Sequence, residues 1–484
     1  MKKIIFPVFI LLLIAFTGCT KDYLNHPGDS EDPNLKKKDK NVFVVLPSGG
    51  DDTEALLQAF TDAQATGSYA TVKLVAGEYH VGLIEIHSFF GKFTGAGKNA
   101  TIILPTPNLP VPHGVDSNVL PAWFKFLAGD LVISNMTFKI PDGLPCLDPG
   151  DGYFATDLFT ILDLADFTEH YRPETRYIKA LVEHVNFFGG NDNGEGGYWK
   201  TTYNTLLGIW IGIDFWWGEA PEYTMTVGDV SISHCSFDNL LNAFEYSHMM
   251  NSKGSISHNI ATNTWYAFYM NYNVESDIQI FKNKFENNLL GDIMVDDGDW
   301  GLWSGLVTSK RTKYHIYGNH FDVAPGSISL TMMELQPISG TSEDVPFPIY
   351  NIWDNHFNLP EGAIGINGLN TQNSSINANK FKGHGMFGIY LEGTAEPEIF
   401  AENNTMLFNK FNPAHFSEAN IFLGSYTRDC KVIGNTPDET IIDNGVNNDI
   451  NILKKIKWQK KSAYDIKGYY KNFYDNQFRN KISN

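Results

Sequence analysis

Asp214, Glu245 and Asp296 each stand at the polar end of a short apolar run, with tryptophan-rich segments before and after them. Two carboxyl groups held across a glycosidic bond can hydrolyse it, one as general acid and one as the base that activates water. Aromatic rings beside amides and carboxylates suit a sugar, which offers a C–H face for stacking and hydroxyls for hydrogen bonding. The candidate catalytic residues are therefore Glu245 as acid, Asp296 as base and Asp214 as a reserve partner. Trp210, Tyr269, Asn271, Trp216, Trp217, Trp300 and Trp303 are the candidate substrate-binding residues. Asp296, Asp297 and Asp299 could also hold Ca2+, which favours clustered carboxylate oxygens, although hydrolysis by this route requires no cofactor. Any one acid on a strand face is ordinarily solvated, so the grouping carries this reading.

Charge separates the reaction classes. Between Leu206 and Trp300 lie thirteen Asp or Glu residues, three lysines (Lys253, Lys282, Lys284) and no arginine. β-Elimination from a uronate needs cations to neutralise the carboxylate, and this region lacks them. The leading expectation is a glycoside hydrolase on a neutral or weakly charged polysaccharide or oligosaccharide. The alternatives are a non-catalytic, adhesin-like glycan-binding protein and a polysaccharide lyase.

The elements that would position these residues are set by a repeat. From Ile232 to Thr405 a pattern recurs: an apolar residue, two variable ones, Asn, one variable, Phe. Its copies begin at Ile232, Ile256, Ile280, Ile316, Ile352, Ile376 and Phe400, and place Cys235, Asn259, Asn283, Asn319, Asn355, Asn379 and Asn403 in the Asn position. The steps are 24, 24, 36, 36, 24 and 24 residues. A fixed period with insertions confined to one part of each unit marks a solenoid, and the short alternating β-branched and aromatic runs exclude a helical one. About 24 residues suit three short strands and three turns, so the fold class is all-β, a right-handed parallel β-helix. Asn tolerates the left-handed backbone of a sharp bend, and its amide can bond from coil to coil.

Strand alternation then fixes the faces. Ile209, Ile211, Ile213, Phe244, Tyr246, Phe268 and Met270 point inward. Trp210, Asp214, Glu245, Ser247, Tyr269, Asn271, Asp296, Thr331, Asn367, Tyr390 and Glu392 point outward. Insertions at 189–205, 215–224 and 297–315 would wall this outer face into a groove. Two coils separate Glu245 from Asp296, which predicts strands ~9 to 10 Å apart and room for a water between the carboxyl groups.

The ends of the chain read differently. Residues 1–18 form a signal peptide, with Lys2 and Lys3 before an apolar run too short to favour a spanning helix. Residues 19–41 are a polar tether, 42–436 the β-helix domain, and 437–484 a basic cap or tail. The formal charge is −19, yet 451–484 carry nine basic and two acidic residues, so the body is strongly acidic. That balance argues against nucleic acid as a partner. Cys146, Cys235 and Cys430 lie far apart and show no zinc spacing.

Phe16-Thr-Gly-Cys19 resembles the lipobox of bacterial lipoproteins, which implies cleavage before a lipidated Cys19. With Thr20 next, it also implies a membrane anchor on the outer membrane, at its periplasmic or cell-surface side. Val42 to Leu46, a helix from about Asp52 with an Asp51/Glu54 capping box, and the segments Thr71–Val81 and Gly91–Leu104 resemble the first coils of the pectate-lyase-like β-helix superfamily. That resemblance implies the fold, with an N-terminal capping helix, and is nearly silent on reaction. Gly383-His384-Gly385 is similar to a motif of the polygalacturonase family, but the companion motifs are missing, and the three residues are read as a turn.

Overall fold

In the computed structural model the described residues are 41–107, 109, 122–141, 159–164, 177–190, 206–212, 226–247, 249–271, 273–296, 311–333, 347–395, 398–411, 416–435 and 440–451. They form a right-handed parallel β-helix whose strands stack in three columns. One coil shows the plan: Met249–Ser257 in the first column, Ile260–Thr262 in the second and Tyr266–Asn271 in the third. Each pairs in parallel with its counterpart 24 residues on, Ile256 with Ile280, Ala261 with Phe285 and Phe268 with Ile293 across a one-residue insertion.

The corner between the first two columns holds the asparagine ladder. Asn259, Asn283, Asn319, Asn355, Asn379, Asn409 and Asn435 follow one another, each side-chain Nδ2 donating to the next Oδ1 at 3.0–3.1 Å. The same Oδ1 accepts the preceding ladder residue's backbone N–H, and each Nδ2 also donates to a carbonyl one coil back. Each asparagine amide at this bend thus meets the next asparagine and a carbonyl one coil back. Cys235 opens the series, its N–H donating to Asn259 Oδ1 at 2.9 Å. Asn403 is not in it: this residue sits at a bend with φ 55°. The coil after Asn379 is 30 residues long, and its true copy of the pattern is Met406-Leu-Phe-Asn409-Lys-Phe411, in register with Ile376 and Phe381. A spacing of 24 assumed one coil too short placed the copy at Phe400.

Inside the ladder runs a column of rings, Phe285, Phe321, Phe357, Phe381 and Phe411, stacked 4.6 to 4.9 Å apart with nearly parallel planes. Ala261 interrupts the column, and Phe268 from the third column meets Phe285 edge-on there. Burial of these rings and of the inward Ile and Val residues in one continuous cluster is the main stabilising term.

The helix Thr53–Ala65 closes the N-terminal end, burying Leu56, Ala59, Phe60 and Ala63. Gly67, at φ 61°, turns the chain out of it. The expected capping box does not form. Asp52 is the N-cap, and Asp51 accepts from the N–H of Thr53, two residues on, while Asp52 bonds outside the helix to Ser48 and His80. At the other end Ile441–Asp443 and Asp449–Asn451 pair into the sheet. The β-helix therefore continues past 436, into the stretch read as cap or tail, because two more short strands, centred on Ile442 and Ile450, add to the columns. Residues 1–40 and 452–484, with Cys19 and most of the basic tail, lie outside the described residues.

Candidate functional site

The third column positions the candidate acids. Asn242–Ser247, Tyr266–Asn271 and Gly291–Asp296 are successive strands of that column. Ile209, Ile211, Phe244, Tyr246, Phe268 and Met270 point into the core as the alternation predicts. Trp210 packs outside it, with Leu207, Leu241 and Trp265, and Tyr390 belongs to another outer cluster with Phe387 and Phe422. Register gives two rows on this outer face. One runs Lys125, Asp163, Trp210, Glu245, Tyr269, Met294, Thr331, Asn367, Tyr390. The other, two residues further along each strand, contains Ser247, Asn271 and Asp296.

Glu245 and Asp296 consequently share a face but not a row. Glu245 lies opposite Tyr269 and, beyond it, Met294, while Asp296 lies opposite Asn271 and, beyond it, Ser247. Two strand spacings and two residues along the strand set their Cα atoms about 12 Å apart. The ~9 to 10 Å expected from coil counting omitted the displacement along the strand. The intervening strand ties the pair together crosswise. Asn271 Nδ2 donates to Glu245 Oε1 at 3.3 Å, and the Tyr269 hydroxyl donates to Asp296 Oδ2 at 3.3 Å. Asn242, three residues before Glu245, donates to its other oxygen at 3.1 Å.

This face is not a solvated one. Glu245 is 1% exposed, Asp296 6% and Asn271 4%, and Trp210 is as deeply covered. Tyr269 is half-buried and stacks on Tyr266, with ring centres 6.0 Å apart. Asp214, Trp216, Trp217, Asp297, Asp299, Trp300 and Trp303 all lie outside the described residues. By connectivity, however, the segments that carry them leave the C-terminal ends of the third-column strands, the end at which Asp296 sits. Among the described residues no group of three or more His, Cys, Asp or Glu could hold a metal ion.

Sequence reasoning missed three residues here. Lys125 stands in the Glu245 row and pairs with Asp163 at 3.3 Å, both nearly covered. It brings a cation to a face read as lacking one, and it escaped notice because Ala122–Lys139 is an 18-residue strand that turns through more than one column. Asn242 was hidden by its place before the apolar run. Asp292 faces inward: it occupies the bend position held in other coils by Gly208, Ala243, Ala267, Gly365 and Gly388, and by the larger Ile161, Ser329 and Asn420. Asn288 and Ser329 donate to its two oxygens, each at 2.8 Å. Burial pushes its pKa up to about 7, against the opposing pull of those two hydrogen bonds. His384, of the Gly383-His384-Gly385 turn, is exposed at the end of the second-column strand Lys380–Gly383, away from the acids.

No family model matches the chain, and no curated protein is similar to it in sequence. Solved structures are similar in fold. The DFA-IIIase of Arthrobacter chlorophenolicus A6, in complex with DFA-III, is 13% identical over 86% of this chain and 99% of its own, with a TM-score of 0.50. The mannuronan C-5 epimerase AlgE4 A-module of Azotobacter vinelandii is 12% identical over 85% and 96%, with a TM-score of 0.39. PfbA, a surface adhesin of Streptococcus pneumoniae, is 15% identical over 78% and 89%, with a TM-score of 0.41. At these identities the likeness is one of fold, the right-handed parallel β-helix.

Proposed function

We propose that the protein is a carbohydrate-active enzyme, a glycoside hydrolase that works at the outer face of the third strand column on a neutral or weakly charged glycan. One observation carries the reading: Glu245 and Asp296 lie on one face, diagonal to each other, and the two side chains between them, Tyr269 and Asn271, each hold one of the carboxylates. A backbone separation of about 12 Å suits the wider carboxyl spacing of an inverting mechanism better than the ~5 Å of a retaining one. In that scheme Glu245 protonates the leaving oxygen and Asp296 takes a proton from the attacking water. Asp214 is the reserve partner, Tyr269 and Asn271 contact the sugar, Trp210, covered by Leu207, Leu241 and Trp265, backs Glu245 rather than meeting the sugar, and the tryptophans at 216, 217, 300 and 303 border it. Lipidation of Cys19 and an outer-membrane location belong to the same proposal, as does Ca2+ at Asp296, Asp297 and Asp299.

Burial of Glu245, with an amide on each oxygen, favours a second reading in which the network shapes a glycan-binding surface without turnover. A panel of glycans separates the two. New reducing ends without unsaturated products mean hydrolysis, unsaturated products mean a lyase with Lys125 as its cation, and binding alone means the second reading. Glu245→Gln and Asp296→Asn should each lower turnover at least a hundredfold while glycan binding persists. Near-normal turnover by both variants would remove these residues from the mechanism.

A further inference from the structure

The second strand column carries a charge pattern that the third-column site does not use. Its outward residues stack in register as Lys284, His320, His356, Lys380 and Lys410, with a second row of Glu286, Asp322, Asn358 and Lys382. In the first two of these coils the second row is acidic: Lys284 pairs with Glu286, and His320 lies 3.3 Å from Asp322. Then the second row changes from acid to Asn358 to Lys382, and compensation stops. Lys380, Lys382 and Lys410 are all exposed, and Asp354 lies 3.9 Å from Lys380. His356 Nε2 lies 2.9 Å from Lys380 Nζ, so the ring accepts from the ammonium and fixes it on the face.

A ring stands beside these lysines. Phe408 occupies the corner next to Asn409, two residues before Lys410, and is 58% exposed. Its φ is 56°, a conformation in which a bulky residue is a rare choice. The neighbouring coils place small residues at that corner, Ala378 before it and Gly434 after it, and the ring lies over Gly434. An apolar ring kept in solvent two residues from Lys410 and one coil on from Lys380 and Lys382, on a chain of formal charge −19, is an anomaly of both hydrophobicity and sign.

We propose that Phe408 with Lys380, Lys382 and Lys410 forms a second, non-catalytic binding site for an acidic polysaccharide, a linear glycan bearing uronate or sulfate groups. The lysines meet the anionic groups one strand spacing at a time, and Phe408 takes the C–H face of one sugar. A thin chain can follow this strip, where Asp354 stands 3.9 Å from Lys380, while the pull of acids on more distant faces is screened over about 8–10 Å. A broad anionic membrane would bring those acids into repulsion. Single-stranded nucleic acid gains its affinity from successive stacked bases, and this site offers one ring.

The test uses the full chain. Affinity electrophoresis in polygalacturonate should retard it, less so as salt rises, and dextran should not retard it by this site. K380Q/K382Q/K410Q should weaken polygalacturonate binding about tenfold or more, given the modest worth of each exposed pair. Phe408→Asn should weaken it severalfold with the circular dichroism spectrum unchanged, because Asn suits the left-handed corner. Neither change should alter turnover at the third column, so failure here is distinguishable from failure of the hydrolase reading. The proposal is overturned if the triple variant binds as the parent does, if polygalacturonate gives no retardation at low salt, or if phosphatidylserine vesicles or oligothymidylate bind more tightly through the same residues.

Discussion

Two regions of this β-helix bury polar side chains, and they do so by opposite means. At the corner between the first and second columns, each asparagine bonds the next asparagine and a carbonyl one coil back, so the same three donor contacts recur from Asn259 to Asn409. On the outer face of the third column, Glu245, Tyr269, Asn271, Asp296, Lys125 and Asp163 are held by unlike partners, and among the described residues their arrangement is not repeated from coil to coil. Stacking identical units gives stability from any suitable sequence. A unique polar set contributes little stability that an apolar row would not, so the two regions differ in what each adds to the fold.

The largest effect should come from breaking the ladder. Asn319→Ala removes acceptors for the Asn283 N–H and side chain and donors to Ile280 and Asn355. A buried N–H left without a partner costs ~1–3 kcal/mol, and several groups are affected, so chemical denaturation should show a loss of about 3–5 kcal/mol. Hydrogen exchange should rise first in the coils on either side. A loss below about 1 kcal/mol would mean that the ladder is not a main source of stability.

Asp292 lies between the two regimes, an interior acid held by the unlike partners Asn288 and Ser329. Its folded pKa, about 7, is above the ordinary 3.8, so the fold prefers the protonated form. For this group stability is greatest below pH ~4, falls as pH rises from 4 to 7, and is lowest above that. Asp292→Asn copies the neutral acid and should abolish this decline, stabilising the protein at pH 8 by about 2–4 kcal/mol relative to the parent and leaving it little changed at pH 4. Equal stability differences at the two pH values would show that Asp292 is ionised in the fold without cost.

The same contrast explains what could be read from the chain. A repeat reports itself: Ile, Asn and Phe at fixed offsets identified the corner, the core ring column and the faces of the third column. Reading failed where the unit changed length, as at Asn403, and where one strand ran through a bend, as at Lys125. The diagonal between Glu245 and Asp296 depends on register, which coil counting cannot supply. Asp292 looked like part of an alternating strand because the bend that turns two successive residues inward holds side chains of many sizes, from Gly208 and Ala243 to Ser329 and Ile161, and so leaves no single trace. The exposed Phe408 was concealed by the same 30-residue coil that displaced Asn403.

The smallest effect, and the finest comparison, concerns Cys235, the ladder position that lacks its asparagine. The thiol is fully covered, burial pushes its pKa up to about 12, and Sγ lies 3.7 Å from the Val182 carbonyl. That carbonyl occupies the place that Ile232 takes for Asn259. Val185 supplies a backbone N–H to the sulfur from the other side. Cys235→Asn would therefore find each ladder contact waiting: Val182 O and Asn259 Oδ1 as acceptors for its two amide hydrogens, and the Val185 N–H as donor to its oxygen. The weak thiol bonds would be exchanged for amide ones at the cost of a few added atoms, so the stability should stay level or rise by up to about 1 kcal/mol. A thermal unfolding midpoint unchanged or raised would extend the ladder by one coil. A loss of more than about 1 kcal/mol would show that the corner is already changing shape at Cys235, where the repeating region gives way to the irregular coils before it.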